Sequence, residues 1–339
     1  MSAIPATFRA FVAEQAGADV YRGVRPFAES DLPMGEVEIR ILWSGVNYKD
    51  GLATIARGKV ARISPLIAGI DLAGEVIASA DPTIPTGTAV VAHGYDLGVG
   101  RHGGFADYQR VAAGWVVPLP ARLTPRLAMA LGTAGFTAAL SVVRLEERGL
   151  RPGTGPVLVT GASGGLGTVA VGILAARGYE VVAATGKPDE ADRLKGLGAA
   201  AVVDRAEVTA ESARALEAER WAGAVDCVGG ATLPYILRTL RHDAAVAACG
   251  NTGGPGFATT VFPFILRGAA VIGIDSVPVP IAERRTIWQR LADDLRPSGL
   301  GGGVTEVTLD TLDGALDGIL AGRARGRWLV RIGDEAGVA

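Results

Sequence analysis

A glycine-rich segment at residues 157–178, "VLVTGASGGLGTVAVGILAARG", constrains the fold of this chain most strongly. A β-type run beginning at Val157 enters a turn and leaves it as an apolar helix. Gly164 and Gly167 have the spacing of the second and third glycines of the dinucleotide-binding fingerprint, with Ala162 at the position of the first. In that fingerprint the middle glycine lets the backbone approach a pyrophosphate, and the last lets helix and strand pack closely.

The turn itself is expected to bind an anion. The amides of Gly165 and Leu166 begin the helix and would face a phosphate together with the helix dipole, and Ser163 lies in the same turn. Loops of this composition also serve as plain tight turns. The preceding strand, the following helix and a second strand about 20 residues on favour a dinucleotide site.

The second strand selects the cofactor. An NAD site places a carboxylate at its end to bind the adenosine ribose, and that carboxylate would repel a 2′-phosphate. Here "EVVAATGK" ends in Thr185, Gly186 and Lys187, and Arg205 ends the next strand-like run. A hydroxyl, an open backbone and two cations predict NADPH rather than NADH. The alternative is a solvated lysine and a solvated arginine with no ligand.

The patterning along the chain predicts two domains. Before residue 124 the chain has short strands broken by Gly and Pro, as in "EVEIRILWSGV" and "TAVVAHG", which indicates a β-rich domain. Beyond it, apolar strands alternate with helices, which is typical of a doubly wound, Rossmann-type parallel sheet. We therefore expect an α/β protein with a β-rich domain at 1–124 and 278–339, and a nucleotide-binding domain at 125–277.

Composition limits the partners and the compartment. The 33 basic and 35 acidic side chains give a net charge of -2, and no basic stripe would follow a nucleic acid backbone. No apolar run approaches the roughly 20 residues of a membrane span, and the first 20 residues do not read as a secretion signal. We expect a cytoplasmic protein without membrane or nucleic acid partners. Cys227 and Cys249 lie in apolar runs typical of buried, inert thiols.

Several segments resemble one protein family across essentially the whole chain: "GVNYKDGLA", "IAGIDLAGEV", "HGGFADYQRV", "GTAGFTAAL" and "TTVFPFILRGAAVIGIDSV". Together with the order of the domains, they are similar to the medium-chain dehydrogenase/reductase superfamily. The segments are similar to its zinc-independent branch of acrylyl-CoA reductase and quinone oxidoreductase-like proteins, and the last segment is the most distinctive of them. The resemblance implies a GroES-like fold for the β-rich domain.

The positions that hold a catalytic metal in the zinc-dependent relatives carry other residues here. Those relatives have a cysteine where this chain has Asn47, and a His-Glu pair where it has Ile70 and Asp71. Zinc prefers Cys and His ligands in a closed tetrahedral shell, so we expect no metal. His93 and His102 lie near a glycine-rich loop and are interpreted as turn or pocket residues.

The resemblance also implies a catalytic turn in "NYKD". Tyr48 would contact the cofactor and is the candidate proton donor, with Asn47 and Asp50 completing the predicted catalytic set. Asp50 would either orient its neighbours or cap the following helix, a role common for Asp. Phe136, at the start of the interdomain helix, is expected to line the substrate.

Ligands of doubly wound sheets lie outside the carboxyl ends of the strands. We therefore expect the cofactor to contact the loops that follow the last two strands, at Gly250, Asn251, Ile274 and Ser276. Arg267 and Arg327 are expected near phosphates, Arg267 as a substrate residue and Arg327 as a cofactor residue. The alternative for both is an ordinary surface arginine.

Metal-free hydride chemistry suits reduction of an activated C=C bond, which needs geometry, a dry cleft and hydrogen-bond donors at the developing oxyanion. Together with the basic corner after the β-type run "EVVAATGK", the resemblance implies an NADPH-dependent reductase of an acrylyl-CoA-type enoyl thioester. A quinone or enone acceptor is the alternative, and a non-catalytic NADPH-binding sensor or structural protein is a third. The resemblance also implies a homodimer, formed by pairing of the strand "AAVIGIDS" with its copy.

Overall fold

The computed structural model describes residues 2–334. Met1 and residues 335–339, which belong to the predicted β-rich domain, lie outside the described residues. The described chain forms two compact units. The first runs to Thr133 and adds Val277–Ala292 and the segment from Gly301 onward; the second comprises Ala134–Ser276 and Asp293–Leu300.

The described residues fold into strands and helices that are numbered in chain order. The strands are β1 Thr7–Ala16, β2 Asp19–Ala28, β3 Val37–Val46, β4 Leu66–Ile67, β5 Asp71–Ser79, β6 Ala89–His93, β7 Tyr108–Val111, β8 Val116–Pro118, β9 Val157–Val159, β10 Val181–Thr185, β11 Ala201–Asp204, β12 Trp221–Asp226, β13 Leu240–Ala248, β14 Ala270–Gly273, β15 Thr305–Thr308 and β16 Trp328–Arg331. The helices are α1 Tyr48–Ala53, α2 Pro125–Glu147, α3 Gly165–Ala176, α4 Ala191–Gly196, α5 Thr232–Thr239, α6 Phe262–Arg267, α7 Ile281–Ala292 and α8 Leu312–Leu320.

The first unit is β-rich, as predicted. It contains a three-stranded sheet in the order β2-β1-β4 and a larger sheet in the order β15-β16-β3-β5-β6-β8, with β7 also paired to β3. Strand β3 is buried at nine of its ten positions because it has sheet neighbours on both sides. The last strand pairs with this unit, since β16 runs antiparallel to β3 with Val330 opposite Ser44.

The second unit is built on a six-stranded parallel sheet in the order β11-β10-β9-β12-β13-β14. Numbered within the sheet, this is the 3-2-1-4-5-6 order of a doubly wound dinucleotide-binding fold. All five residues of β10 are buried, as expected for a parallel strand covered by helices on both faces. The predicted Rossmann-type architecture is confirmed.

The unit boundary differs from the predicted one at residue 124. Helix α2 is interrupted by Gly132, whose φ of 54° and ψ of -158° are not helical, and the units divide directly after it. Residues 293–300 belong to the nucleotide-binding unit because Ser298 donates from its amide to Gly172 O at 3.2 Å and from its hydroxyl to Leu197 O at 2.5 Å. Apolar periodicity does not reveal a bend inside a helix or these long-range contacts.

Among the described residues, one helix is long and apolar enough by composition to cross a membrane, contrary to the expectation that no such run exists. This is α2, and 83% of its most apolar 18-residue window is buried inside the protein. A core helix of a globular domain satisfies the same length and composition criterion.

Candidate functional site

The glycine-rich turn after β9 forms a cradle at the start of α3. A Cβ atom at Gly167 would lie 2.4 Å from Gly161 O and 2.6 Å from the Cα of Ala162, so only glycine fits where helix and turn touch. The first amide with a helical partner is that of Thr168, which donates to Gly164 O at 3.0 Å. The amides of residues 165–167 precede it and have no acceptor one turn back, which leaves them oriented for an anion.

The residues predicted to select the cofactor lie together at the ends of β10 and β11. Ser163 Oγ and Thr185 Oγ1 share a hydrogen bond of 2.8 Å, and the Lys187 amide donates to Thr185 Oγ1 at 3.1 Å. The Arg205 amide donates to Thr185 O at 2.9 Å. Its side chain lies over Gly186, where a Cβ would be 2.6 Å from Arg205 Cδ. We call the following five residues the phosphate corner: Ser163, Thr185, Gly186, Lys187 and Arg205.

Sequence reasoning missed a third cation beside the phosphate corner. Arg193 on α4 donates from Nε to Glu190 Oε2 at 2.6 Å and from a terminal nitrogen to Ser163 O at 3.4 Å. The signal was available, because Glu190 and Arg193 are three residues apart at a helix start and can pair on one face.

The four loop residues expected at the carboxyl ends of the strands lie there. A Cβ at Gly250 would be 2.0 Å from Cys227 O, so the loop after β13 passes tightly over the end of β12. The amide of Ile274, just after β14, donates to Ala248 O at 3.0 Å. Asn251 is exposed, and the buried hydroxyl of Ser276 accepts from Thr137 Oγ1 at 2.8 Å.

Two residues predicted to contact substrate are placed elsewhere. The Arg267 guanidinium donates to Arg238 O at 2.8 Å and to Leu240 O at 3.0 Å, and it also bonds Glu217 O. Leu240 begins β13, so Arg267 closes the amino edge of the sheet, opposite the cofactor edge, and acts as a structural residue. Phe136 is fully buried and presents no surface to a ligand.

In the first unit, the "NYKD" turn is fixed by a capping box. Asn47 precedes α1, and Asp50 Oδ2 accepts from the Asn47 amide at 2.7 Å. Asp50 Oδ1 accepts from the Ile70 amide at 2.8 Å, which ties α1 to the start of β5. The structure therefore gives Asp50 the helix-capping role, and Tyr48 follows at the first helical position with a side chain that is exposed.

Arg327 is not on a phosphate-binding surface, and its predicted cofactor contact is corrected. Its side chain is buried and donates to Asn47 Oδ1 at 3.0 Å and to Met129 O at 3.2 Å. A terminal nitrogen lies 3.5 Å from Asp71 Oδ2, an oxygen that also accepts from Asn47 Nδ2 at 2.8 Å. With a further bond to Val46 O at 3.3 Å, the guanidinium is engaged by a buried carboxylate, a side-chain amide and two backbone carbonyls.

The buried charges perturb one another. Burial, followed by repulsion from Asp71, raises the pKa of Asp50 to about 7, although bonds from the Ile70 and Asn47 amides oppose the rise. Burial also lowers the pKa of the Arg327 guanidinium, an effect opposed by attraction to Asp71 and Asp50. Two carboxylates therefore share one neighbouring guanidinium, and Asp50 is the group whose charge changes near neutral pH.

His93 extends this network as a buried hydrogen-bonding side chain. Trp288 Nε1 donates to His93 Nε2 at 2.9 Å, and an Arg284 terminal nitrogen lies 2.9 Å from Nδ1. Burial, then the Arg284 charge, lowers the pKa of His93 well below its usual value, so the ring is neutral. Thr133 Oγ1 lies 3.4 Å from His93 Nδ1 and donates to Asp71 Oδ1 at 2.5 Å.

His102 has a backbone role, since its Nδ1 accepts from the Ile67 amide at 3.1 Å. Within residues 2–334, no group of three or more His, Cys, Asp or Glu side chains is arranged to hold a metal ion.

Two family models match the chain. The alcohol dehydrogenase GroES-like domain matches residues 33–121, and the zinc-binding dehydrogenase domain matches residues 165–293. The first match lies in the β-rich unit and the second covers most of the nucleotide-binding unit.

Relatives extend the similarity over nearly the whole chain. It is 48% identical to the Bacillus subtilis protein named "Putative quinone oxidoreductase YhfP", over 96% of this chain and 99% of that protein. It is also 48% identical to acrylyl-CoA reductase AcuI of Ruegeria pomeroyi, over 91% of this chain and 94% of that protein.

Solved structures show the same relationship and identify the family. The YhdH oxidoreductase of Salmonella enterica in complex with NADP superposes with a TM-score of 0.92 at 44% identity, covering 96% of this chain and 99% of that one. Bacillus subtilis YhfP with NAD bound gives a TM-score of 0.94 at 48% identity, covering 96% and 100%. The chain therefore belongs to the medium-chain dehydrogenase/reductase superfamily, in the zinc-independent branch that contains AcuI and YhfP.

Proposed function

We propose that this protein is an NADPH-dependent oxidoreductase that reduces an activated C=C bond, with an acrylyl-CoA-type enoyl thioester as its acceptor. The observation that carries the proposal is the phosphate corner, where Lys187 and Arg205 flank a strand end that carries a hydroxyl and no carboxylate. Full-length similarity to AcuI of Ruegeria pomeroyi supports the acceptor class.

The described residues fit a phosphorylated dinucleotide. The cradle at Gly164 and Gly167 is closed to any side chain at Gly167 and presents amides at a helix start. Arg205 lies over Gly186, where a cation favours the 2′-phosphate of NADPH over the bare hydroxyl of NADH. When bound, NADPH supplies the hydride for the reaction.

The chain must supply a proton and hydrogen-bond donors for the enolate oxygen. We assign the proton to Tyr48 Oη, because the side chain is 38% exposed while its backbone is held in the capped first turn of α1. Asn47 and Asp50 are buried and bonded to each other, so they act by holding this turn and do not contact the substrate.

The direct test is oxidation of NADPH by the purified protein with acrylyl-CoA as acceptor. We expect saturable turnover with NADPH, and a specificity constant with NADH at least about tenfold lower, since a charge-assisted phosphate contact contributes roughly 1.5–3 kcal/mol. A folded protein that binds NADPH but reduces no enoyl thioester, enone or quinone would be a nucleotide-binding sensor or structural protein instead.

A quinone or reactive enone is the second candidate acceptor, supported by the 48% identity to YhfP of Bacillus subtilis. Both acceptors are electron-poor conjugated systems that take hydride from the same cofactor. Specificity constants measured side by side for acrylyl-CoA and a benzoquinone separate them, and the larger constant identifies the acceptor class.

We also propose a homodimer. Strand β14 is the edge of the parallel sheet, and the adjoining α6 region exposes apolar side chains: Val261 is 63% exposed, Ile265 67% and Leu266 57%. Pairing of β14 with its copy would satisfy the edge and cover this apolar patch. A cytoplasmic location and small-molecule partners complete the proposal, and the net charge of -2 supports the absence of a nucleic acid partner.

A further inference from the structure

In the first unit the Arg327 guanidinium packs tightly against two glycines, Gly45 and Gly132. A Cβ at Gly45 would lie 2.5 Å from an Arg327 terminal nitrogen and 3.0 Å from Asp71 Oδ2. A Cβ at Gly132 would lie 2.5 Å from that Asp71 oxygen and 2.6 Å from Arg327, and Gly132 has a φ of 54°, which favours glycine. A side chain at either glycine would therefore collide with the ion pair.

The ion pair contacts the start of the "NYKD" turn in two ways: Arg327 donates to Val46 O at 3.3 Å, and both charged groups bond the Asn47 side chain. Asn47 Oδ1 accepts from Arg327 at 3.0 Å while Asn47 Nδ2 donates to Asp71 Oδ2 at 2.8 Å, so both ends of the amide are occupied. Asn47 also caps α1 together with Asp50. Rotation of the Asn47 amide would break bonds to all three charged residues at once.

Tyr48 directly follows Asn47 and has no such anchor of its own among the described residues. Its backbone is fixed by the cap, and its side chain extends from that point to the surface. The direction in which the Tyr48 side chain extends from the surface is therefore set by buried residues.

We propose that Arg327 is a positioning residue: locked between Asp71 and Asn47, its guanidinium fixes the Tyr48 turn in the orientation used for catalysis. The inference rests on the proposed function, because it assigns Arg327 an effect on the step that uses Tyr48. It separates Arg327 from nucleotide binding, the role that sequence reasoning had given it.

The first experiment removes the Arg327 side chain by mutation and then adds free guanidinium to the solution. Arg327→Ala leaves a cavity that free guanidinium can enter, and urea offers the same planar shape without charge. We expect kcat for the enoyl thioester to fall by at least about tenfold, with KM and the NADPH dissociation constant within about twofold of wild type. Millimolar guanidinium should restore kcat saturably, and urea should not.

Arg331→Ala is the matched control. Arg331 lies four residues further along, in β16, and its side chain is 54% exposed. Its kcat should match wild type with or without guanidinium. The proposal is overturned if Arg327→Ala keeps wild-type kcat, if guanidinium fails to restore kcat or urea restores it equally well, or if NADPH affinity falls in step with kcat.

A second variant covers the case in which Arg327→Ala does not fold, since removing one partner leaves Asp71 buried without its counter-charge. The pair Asp71→Asn with Arg327→Met removes both charges at similar volume. Hydrogen exchange of the Asp50 and Gly51 amides, which both donate to Asn47 O, reports the turn directly. We expect about tenfold faster exchange at these two amides, and unchanged exchange would refute the proposal.

The exchange measurement also separates the two proposals. If the wild-type protein reduces no enoyl thioester but exchange at Asp50 and Gly51 accelerates in the double variant, the proposed function fails and the positioning of the turn by Arg327 stands.

Discussion

The side chain of Arg205 lies over Gly186, so close that a Cβ at residue 186 would be 2.6 Å from Arg205 Cδ. The two residues follow neighbouring parallel strands in register, with Thr185 opposite Asp204. A guanidinium is thereby held where the second strand of a dinucleotide-binding sheet ends. This is the place at which such folds distinguish the two nicotinamide nucleotides.

Removing either cation should weaken NADPH selectively. In Lys187→Ala and Arg205→Ala we expect the NADPH dissociation constant to rise about tenfold to a hundredfold, from the loss of roughly 1.5–3 kcal/mol of charge-assisted bonding, with NADH affinity unchanged. Fluorescence titration with both nucleotides measures this. Lys195→Ala, on the exposed side of α4, is the control that should leave both constants alone. An equal loss for NADPH and NADH would point to damage to the fold.

Gly167→Ala should disrupt the cradle for both nucleotides. The new Cβ would lie 2.4 Å from Gly161 O, and backbone at that distance cannot yield without moving the turn or the helix. We expect loss of NADPH and NADH binding together and a lower melting temperature. The matched change Gly196→Ala meets no atom within 4 Å and lies in a helix, so it should stabilise by up to about 1 kcal/mol. Normal nucleotide affinity in Gly167→Ala would contradict the close packing.

The titration of Asp50 should appear in the pH dependence of stability. Its pKa is raised from 3.8 to about 7 in the folded protein, so the folded state holds the proton more tightly than the unfolded chain. The stabilisation that the folded protein gains from protonated Asp50 is therefore fully present below about pH 4. It is lost as pH rises toward 7, at up to about 1.4 kcal/mol per pH unit.

Denaturant unfolding of wild type and Asp50→Asn at pH 5, 6, 7 and 8 checks this expectation. The unfolding free energy of Asp50→Asn minus that of wild type should increase between pH 5 and 7, and then level off. Asp19→Asn, an exposed carboxylate, serves as the control. A pH-independent difference for Asp50→Asn would show that the carboxyl does not titrate in this window.

Arg267→Ala should destabilise the protein without affecting the reaction. The guanidinium closes the amino edge of the sheet by bonding the carbonyls of Arg238 and Leu240, and the loss of these charge-assisted bonds should cost about 1–3 kcal/mol, although Arg238 O keeps its bond from the Glu217 amide. Thermal unfolding should show the loss, while KM for the thioester and for NADPH remains unchanged. A raised KM for the thioester with normal stability would indicate that Arg267 contacts the substrate.

Ile265→Asp should convert the proposed homodimer to a monomer. The side chain is 67% exposed on α6, and a buried, unpaired carboxylate would oppose association. Sedimentation at micromolar concentration distinguishes the two states. Met34→Asp, at an apolar side chain that is 84% exposed in the other unit, should leave the assembly unchanged. A wild-type monomer at that concentration would contradict the proposal.

The sequence by itself determined the features that depend on neighbouring residues. A strand, a turn and a helix follow one another in "VLVTGASGGLG", so the cradle could be predicted from the spacing of its glycines. The cations after β10 and β11 could be predicted because each directly follows the end of an apolar run. The alternation of apolar strands and helices likewise predicted the parallel sheet. Each of these signals is local, because the sequence patterns of helices, strands and turns extend over only a few residues.

Only the tertiary structure decided that Arg267 and Arg327 bond to other parts of the fold. Arg327 bonds Asn47, which lies 280 residues away in the chain, and Arg267 bonds carbonyls at the amino edge of its sheet. The sequence shows each of them only as a cation at an element end. Their partners come together when distant strands pair, and the free energy of burying a guanidinium depends on those partners and not on its neighbours in sequence.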